Sequence, residues 1–244
     1  MIVVLSGEGA ADIGACTNQQ GLCSGCDFLP GPMTVLIDQA LEQKIGYSIL
    51  DYPDRLHFVG EAELCRRMRQ LPVRMQPARS KKRGKETGYF FGNAVALGAV
   101  AQEIEKAAQS KAVAVLFRDC DRTHSAKAGL WETMRASIEH GFAYSGFARG
   151  VPMLPKPKSE AWLLCIACPP AAGDCSSYEE LSGNDSSPNA PKKKLDAAFG
   201  RHLSGPELCD WLKEDPFDVA RMMSMPSFRV FKERLDCAAD EVLH

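Results

Sequence analysis

Four carboxylates come just after two apolar segments that have the composition of buried β-strands. They are Glu8, Asp12, Asp119 and Asp121. The apolar segments, residues 1–5 and 112–117, are typical of buried parallel strands, and open α/β sheets bind ligands at the carboxyl ends of such strands. Carboxylates gathered at one edge repel one another, and a hard cation such as Mg2+ or Mn2+ is their usual compensation. The two motifs together predict a divalent-metal site.

The spacing within each pair suits a shared site. Asp119 and Asp121 are two apart, so both project from one face if the strand geometry continues. Glu8 and Asp12 are four apart, which places them on one side of a helical turn. Either pair alone has a simpler interpretation, because Asp-x-Asp recurs by chance and an acid near a helix start is commonly a cap or a dipole partner. Their joint position at two strand ends favours metal binding.

A third charged motif precedes an apolar segment later in the chain. It reads Pro-Lys-Pro-Lys-Ser-Glu-Ala-Trp over residues 155–162. The motif would bring Glu160 to the metals, and Lys156 or Lys158 to a phosphate or a leaving oxygen. The alternative is structural: the prolines form a turn, Glu160 occupies the first turn of a helix, and Trp162 belongs to the core.

Positive charge is concentrated in one window. Between residues 66 and 85 there are nine basic residues and no acidic one, and since the net charge is −2, the remainder of the chain carries −11. A basic segment on an acidic protein is typical of phosphate-backbone recognition, although a solvated loop explains it equally well. The predicted nucleic-acid-binding residues are Arg66, Arg67, Arg69, Arg74, Arg79, Lys81, Lys82, Arg83 and Lys85.

Ten cysteines are scattered along the chain. Without an export signal a disulfide framework is not expected, and most of these side chains should be small buried hydrophobes. Two groups have spacings that suit zinc, although each offers three thiols where a structural site needs four ligands. The groups are Cys16, Cys23 and Cys26, and Cys165, Cys168 and Cys175.

Composition excludes several classes of protein. Apolar content of 45% and charged content of 25% are ordinary for globular proteins, which disfavours disorder, collagen and coiled coil. No segment reaches the roughly 18 apolar residues of a spanning helix, and the amino terminus lacks a basic region, so we expect a cytoplasmic protein. The chain has neither a full dinucleotide fingerprint nor a Gly-Lys-Ser/Thr phosphate loop. No Ser-His-Asp combination is compelling.

Hydrophobic periodicity predicts alternating helices and strands. A helix capped by Asn93 runs to about residue 110 and leads into the strand at 112–117, which is half of a βαβ unit. A second helix covers about residues 125–140 and ends at Gly141. A short strand is predicted at 47–50, and Ser227 is predicted to cap the last helix.

These residues resemble a known family. The Glu-Gly-x-x-Asp turn at Glu8, with the later Asp-x-Asp at Asp119, is similar to the Toprim domain of primases, topoisomerases and overcoming-lysogenization-defect nucleases. The 155–164 segment and the Pro-Ser-Phe-Arg-x-Phe stretch at 226–231 look more like small stand-alone Toprim-like bacterial proteins, some associated with anti-phage defence. The resemblance covers roughly residues 1–165 in pattern, and the tail more loosely.

The resemblance implies a fold and a set of roles. It implies an α/β fold with a Rossmann-like, mainly parallel sheet, helices on both faces and a helical C-terminal extension. Mg2+ or Mn2+ would be held by Glu8, Asp119 and Asp121, with a second metal at Asp12 and Glu160. Lys156 or Lys158 would neutralise developing charge, and the phosphate would be oriented by one of three further side chains: Arg118, Arg122 or His124.

Domain organisation and function follow as expectations. A core at residues 1–168 would carry insertions at about 14–32 and 52–90, followed by a loop at 169–190 and a helical extension at 191–244. The leading hypothesis is a metal-dependent nuclease acting on DNA or RNA. The alternatives are a non-catalytic module that binds nucleic acid or a partner ATPase, and an enzyme acting on a small nucleotide substrate.

Overall fold

A mainly parallel five-stranded sheet forms the centre of the protein. The structure is a computed structural model that describes residues 1–18, 20–70, 85–120 and 129–244. The strands are β1 (Ile2–Gly7), β2 (Gly14–Cys16), β3 (Leu22–Ser24), β4 (Phe28–Pro30), β5 (Leu56–Val59), β6 (Ala112–Phe117) and β7 (Gly150–Met153). The sheet has the strand order β3-β5-β1-β6-β7, and β2 and β4 form a separate two-stranded ribbon. The predicted α/β class is confirmed.

The three strands that precede the acidic and lysine motifs run in the same direction. β1 pairs in parallel with β5 on one side and with β6 on the other, and β6 pairs in parallel with β7. Every residue of β1, β6 and β7 is buried, as expected for a parallel sheet covered on both faces. The carboxyl ends of β1, β6 and β7 therefore meet at one edge of the sheet.

Helices cover both faces of this sheet. Val3 and Leu5 of β1 point into one core, whereas Ile2 and Val4 point into the other, because successive strand side chains alternate. The helices are α1 (Pro32–Ile45), α2 (Glu61–Gln70), α3 (Lys85–Ala108), α4 (Leu130–Ser145), α5 (Ser159–Ala167), α6 (Pro191–Phe199), α7 (Gly205–Glu214), α8 (Val219–Met222) and α9 (Pro226–Leu243). The first core is closed by α1, α5, α7 and α9, and the second by α2, α3 and α4.

The two regions expected to be insertions take part in the fold. Within residues 14–32, β3 adds an antiparallel edge strand to the main sheet beside β5. β5 itself lies within the range 52–90 and pairs with the central strand β1. These segments therefore complete the sheet.

The C-terminal helices pack onto the sheet through aromatic side chains. Phe228 and Phe231 of α9 are fully buried and lie 5.2 and 5.5 Å, between ring centroids, from Trp162 of α5. The Trp162 indole Nε1 donates to the hydroxyl of Ser227 at 2.9 Å. This packing fixes the position of α5, whose first residues lie at the carboxyl edge of the sheet. Within the described ranges, no helix is both long and apolar enough to cross a membrane.

Several predicted element boundaries are wrong, and contacts with other segments explain the errors at residues 47–50 and at Gly141. Residues 47–50 form no strand, because Asp38 accepts the backbone N–H groups of Ile49 and Leu50 and holds a turn there. The helix expected to begin at Asn93 begins at residue 85, so Asn93 lies inside α3. Gly141 lies within α4, where an added Cβ would come within 2.5 Å of the Phe91 carbonyl oxygen. Close helix packing, and not helix termination, explains this glycine.

The last helix also begins differently from the prediction. The cap position of α9 is Met225, and Ser227 lies in the first turn. Both the backbone N–H and the hydroxyl of Ser227 donate to Glu179 Oε1, at 2.7 and 2.6 Å. A buried carboxylate from a distant turn therefore satisfies the N–H group that a local cap would have served.

Candidate functional site

The carboxyl ends of β1, β6 and β7 bring three of the sequence motifs to one edge of the sheet. Glu8 follows β1 directly, and Asp119 comes two residues after β6. After β7 the chain makes a turn through Lys156 and the cis Pro157, and α5 begins at Ser159. Side chains more than 100 residues apart in sequence consequently become neighbours.

A buried arginine fixes the position of Glu8. The Arg118 side chain is fully buried, and its Nη1 donates to Glu8 Oε2 at 3.1 Å. Its Nη2 also lies 3.5 Å from Glu61 Oε1. The backbone N–H of Asp119 donates to the other Glu8 oxygen, Oε1, at 3.2 Å. Because Arg118 lies within the protein, it orients Glu8 and does not present a free cation to a phosphate.

Ser159 joins the two acidic motifs, although it was not among the predicted site residues. Its backbone N–H donates to Asp119 Oδ1 at 2.9 Å, and its hydroxyl donates to Asp12 Oδ1 at 2.7 Å. Ser159 is itself fully buried. Its position between Lys158 and Glu160, in a motif that already contained three candidate residues, was the only signal for it in the sequence. The Asp119 and Asp12 side chains are therefore held against the same residue.

Asp12 reaches Ser159 from a turn and not from a helix. Residues 8–13 form a turn in which the N–H groups of Asp12 and Ile13 both donate to the Gly9 carbonyl oxygen. The spacing of four predicts a helical turn here, and although no helix follows, the single turn places Glu8 and Asp12 at the same edge. Gly9 has a φ of 79°, in the left-handed region that glycine adopts without a steric penalty.

Glu160 lies next to this network in an environment that disfavours its charge. It occupies the first turn of α5, and its Oε2 is buried without a hydrogen-bond partner among the described residues. Burial raises the pKa of Glu160 above its ordinary value of 4.5, and the negative charge of Asp12 raises it further. A hydrogen bond from the backbone N–H of Glu160 opposes this shift in pKa, and the positive charges of Lys158 and Lys192 oppose it more weakly. A bound cation would stabilise the charged form of this carboxylate.

Lys156 and Lys158 lie in the same turn and are largely covered. Lys156 Nζ lies 3.0 Å from Glu180 Oε1, and Lys158 Nζ lies 3.0 Å from Asp185 Oδ1. Each lysine of the motif thus pairs with a carboxylate from the segment that connects α5 to α6.

Several predicted site residues lie outside the described residues. Asp121, Arg122 and His124 belong to this group. The same holds for five members of the basic window: Arg74, Arg79, Lys81, Lys82 and Arg83. Lys85 is the first residue of α3.

The other three basic residues of the window lie on α2. The guanidinium groups of Arg66 and Arg67 both bind the Glu63 carboxylate, at 2.5 and 2.8 Å, and this lowers the pKa of Glu63 to about 2. Arg67 also pairs with Glu103 of α3. Arg69 is exposed. Arg66 and Arg67 consequently serve first to hold α2 together and to attach it to α3.

The donor set fits a divalent cation in its chemistry. In the part of the chain that the structure describes, no group of three or more His, Cys, Asp or Glu side chains is arranged to hold a metal ion. Asp121 lies outside that part of the chain. Nevertheless, a hard cation with oxygen ligands would relieve two unfavourable features of this site. They are the Glu160 Oε2 atom, which has no hydrogen-bond partner among the described residues, and the repulsion between Glu160 and Asp12.

The expectation that disulfides are absent is wrong for this structure. Cys16 bonds to Cys23 across β2 and β3, and Cys165 of α5 bonds to Cys175. The fold brings each pair to Cα separations of 5.8 and 5.6 Å, which suit a disulfide. Cys26 and Cys168 are free and exposed. In this oxidised form neither predicted zinc group retains three thiols.

Comparison with known proteins identifies no relative. No family model matches the chain, and no curated protein and no solved structure matches it either. The resemblance to Toprim proteins therefore stays a prediction from the motifs at Glu8, Asp119 and residues 155–164.

Proposed function

We propose that this protein is a Mg2+- or Mn2+-dependent nuclease that cleaves phosphodiester bonds of DNA or RNA. One observation carries the proposal: Ser159 binds Asp119 and Asp12 at once, next to Glu160 and at the edge where Glu8 contacts the backbone of Asp119. Carboxylates are costly to bring together, so their convergence at a ligand-binding edge favours a role in chemistry over a role in stability.

Each residue of this edge has a definite part in the proposal. Glu8, Asp12, Asp119 and Glu160, with Asp121, would hold the metal ions. Arg118 keeps Glu8 in position from within the protein, and Ser159 orients Asp119 and Asp12. Bound Mg2+ or Mn2+ would stabilise the charge that develops on the attacking and leaving oxygens of the phosphodiester. Lys156 and Lys158 supply positive charge for the phosphates beside the bond that is cleaved.

Cleavage assays with matched variants test this proposal. Purified protein is incubated with labelled DNA, total RNA and tRNA in Mg2+, Mn2+ or EDTA, and Asp119→Asn is compared with Asp210→Asn, which removes an exposed charge on α7. We expect metal-dependent cleavage by the wild type and by Asp210→Asn. Because even residues behind metal ligands change activity by 10- to 100-fold, we expect Asp119→Asn to lose about 100-fold or more. Absence of cleavage, or equal cleavage by both variants, contradicts the proposal.

A second candidate is a non-catalytic module that binds nucleic acid or a partner ATPase. The observation in its favour is that Glu8 already has a cation, since its carboxylate pairs with the buried Arg118. In that case the acidic edge would be internally neutralised, and binding would survive both EDTA and the substitution Glu8→Gln. Binding with this insensitivity and without turnover would favour the module over the nuclease.

The cellular role and location belong to the proposal as well. The resemblance to stand-alone Toprim-like proteins suggests the effector of an anti-phage defence system in the bacterial cytoplasm. The two disulfides weigh against that location, because the cytoplasm keeps thiols reduced. If they are reduced there, Cys16, Cys23 and Cys26 become available for Zn2+. Labelling of free thiols in intact cells distinguishes the two forms.

A further inference from the structure

A surface segment between α5 and α6 lies against both lysines of the site. This segment, residues 176–190, is called the acidic segment below, because it carries Glu180 and Asp185. Glu180 Oε1 is 3.0 Å from Lys156 Nζ, and Asp185 Oδ1 is 3.0 Å from Lys158 Nζ. Two carboxylates of the protein thus contact the two cations that the proposed function assigns to phosphates.

The partners in these ion pairs differ in exposure. The side chains of Lys156 and Lys158 are only 20% and 14% exposed, whereas those of Glu180 and Asp185 are 74% and 59% exposed. The lysines therefore belong to the body of the protein, and the carboxylates approach them from the solvent side. An incoming anion could replace the carboxylates without unpacking the lysines.

The acidic segment is anchored at both ends, and Asp185 lies in its exposed middle part. Glu179 is buried and accepts two hydrogen bonds from Ser227, and Ala190 at the other end is fully buried. Around Asp185 the hydrogen bonds are short in range: the Ser186 N–H donates to the Asn184 side chain, and the Ser186 carbonyl oxygen accepts from Lys193 Nζ of α6. Ion pairs with an exposed acid contribute little to stability. The carboxylates can therefore leave the lysines at low energetic cost while the anchors stay in place.

Lys156 and Lys158 lie beside the carboxylates that are proposed to hold metal. Lys158 directly precedes Ser159, which binds Asp119 and Asp12. The positive charge of Lys158 also favours the ionised form of Glu160. A phosphate bound at Lys158 would therefore lie next to the carboxylates proposed to hold metal. The carboxylate of Asp185 supplies the negative charge that such a phosphate would bring.

From this arrangement we infer that the acidic segment is an internal mimic of the nucleic-acid backbone. Glu180 and Asp185 hold Lys156 and Lys158 in the free protein, and phosphate groups of a nucleic-acid strand displace them on binding. The segment lowers the affinity for polyanions and restrains the site until a strand competes successfully. This inference rests on the proposed function and concerns the regulation of the same site.

Binding measurements without metal test the mimic separately from cleavage. The double variant Glu180→Gln/Asp185→Asn and the wild type are titrated in EDTA with a labelled single-stranded oligonucleotide and with tripolyphosphate. Because a surface ion pair is worth about a two- to fivefold change in an equilibrium constant, removal of both should tighten binding by about four- to 25-fold. The control, Glu42→Gln/Glu214→Gln, removes two exposed charges on α1 and α7 and should change binding less than twofold.

The lysines provide the second arm of the experiment. In a Lys156→Gln/Lys158→Gln background, the same two substitutions in the acidic segment should give no gain in affinity. A gain for either probe that depends on the lysines supports the mimic. Equal binding by the wild type and the double variant, including no binding by both, overturns it, as does a gain that persists without the lysines. Loss of the proposed nuclease would instead show as absence of metal-dependent cleavage, which these titrations do not measure.

Discussion

Glu160 is predicted to cost the metal-free protein stability, and Glu160→Gln should relieve that cost. Its Oε2 is buried without a hydrogen-bond partner among the described residues, and burial and Asp12 both raise its pKa above 4.5. A carboxyl whose pKa is raised by folding contributes most below the pKa of the unfolded chain, and that contribution falls as the pH rises through the folded pKa. The difference in stability between Glu160→Gln and the wild type should therefore grow above about pH 4.5 and then level off.

The expected size follows from the environment of the carboxylate. An unsatisfied buried polar group costs about 1–3 kcal/mol, and the lower figure applies because a backbone N–H bond and the charges of Lys158 and Lys192 partly compensate the charge of Glu160. For a chain of this length, about 1 kcal/mol raises the Tm by about 2–4 °C. In EDTA near neutral pH, Glu160→Gln should melt about that much higher than the wild type.

Adding a divalent cation should make the Tm of the wild type higher than that of Glu160→Gln. Binding to the folded state at 100 times Kd stabilises a protein by about 2.7 kcal/mol, so Mg2+ or Mn2+ should raise the Tm of the wild type by about 5–10 °C. The Gln variant, which lacks the carboxylate, should respond much less. The assay is calorimetry across pH with EDTA or metal, and Glu214→Gln on the exposed surface of α7 is the matched control.

Two results would refute this reasoning. If Glu160→Gln has a lower Tm than the wild type in EDTA, the charge of Glu160 does not destabilise the folded protein. If metal raises the Tm of the wild type and of Glu160→Gln equally, Glu160 does not take part in cation binding.

Two further predictions concern side chains that position others. Ser159→Ala removes the hydroxyl that donates to Asp12 and leaves the backbone bond to Asp119, so the Mn2+ concentration that gives the same rise in Tm should increase about 10- to 100-fold. Ser159→Thr should restore it, and an unchanged requirement in the Ala variant would argue against the role. Glu179→Ala leaves two buried donors of Ser227 unpaired, so the free energy of unfolding should fall by about 2–4 kcal/mol in urea titrations. Its exposed neighbour Glu180 is the control, and an equal loss for Glu180→Ala would show that the bonds to Ser227 are unimportant.

The positions of the candidate carboxylates could be predicted from the sequence because local patterns fix them. The apolar segment at 112–117 forms β6 over those residues, and the segment at 1–5 forms most of β1, which continues to Gly7. Strands of a parallel sheet must end at a common edge, so residues just after them must meet there. That rule placed Glu8 near Asp119 without any knowledge of side-chain contacts.

The partners of those side chains could not be predicted in this way. Ser159 meets Asp12 across 147 positions and Asp119 across 40, and no local pattern encodes such a pairing. The burial of Arg118 depends on the elements that pack around it, although its position directly after β6 suggested an exposed ligand. Similarly, the sequence predicts a helix end at Gly141, whereas the constraint on this glycine is the backbone of Phe91 on another helix.

The sequence by itself therefore determined the α/β class, the strands that carry the carboxylates and the edge at which those carboxylates gather. Continuous apolar segments and the common direction of parallel strands are enough for this, since a buried parallel strand is recognised over a few residues. Only the tertiary structure decided that Arg118 and Ser159 hold the acids and that Glu180 and Asp185 hold the lysines. Those contacts join segments that become neighbours only when the sheet and its helices have packed.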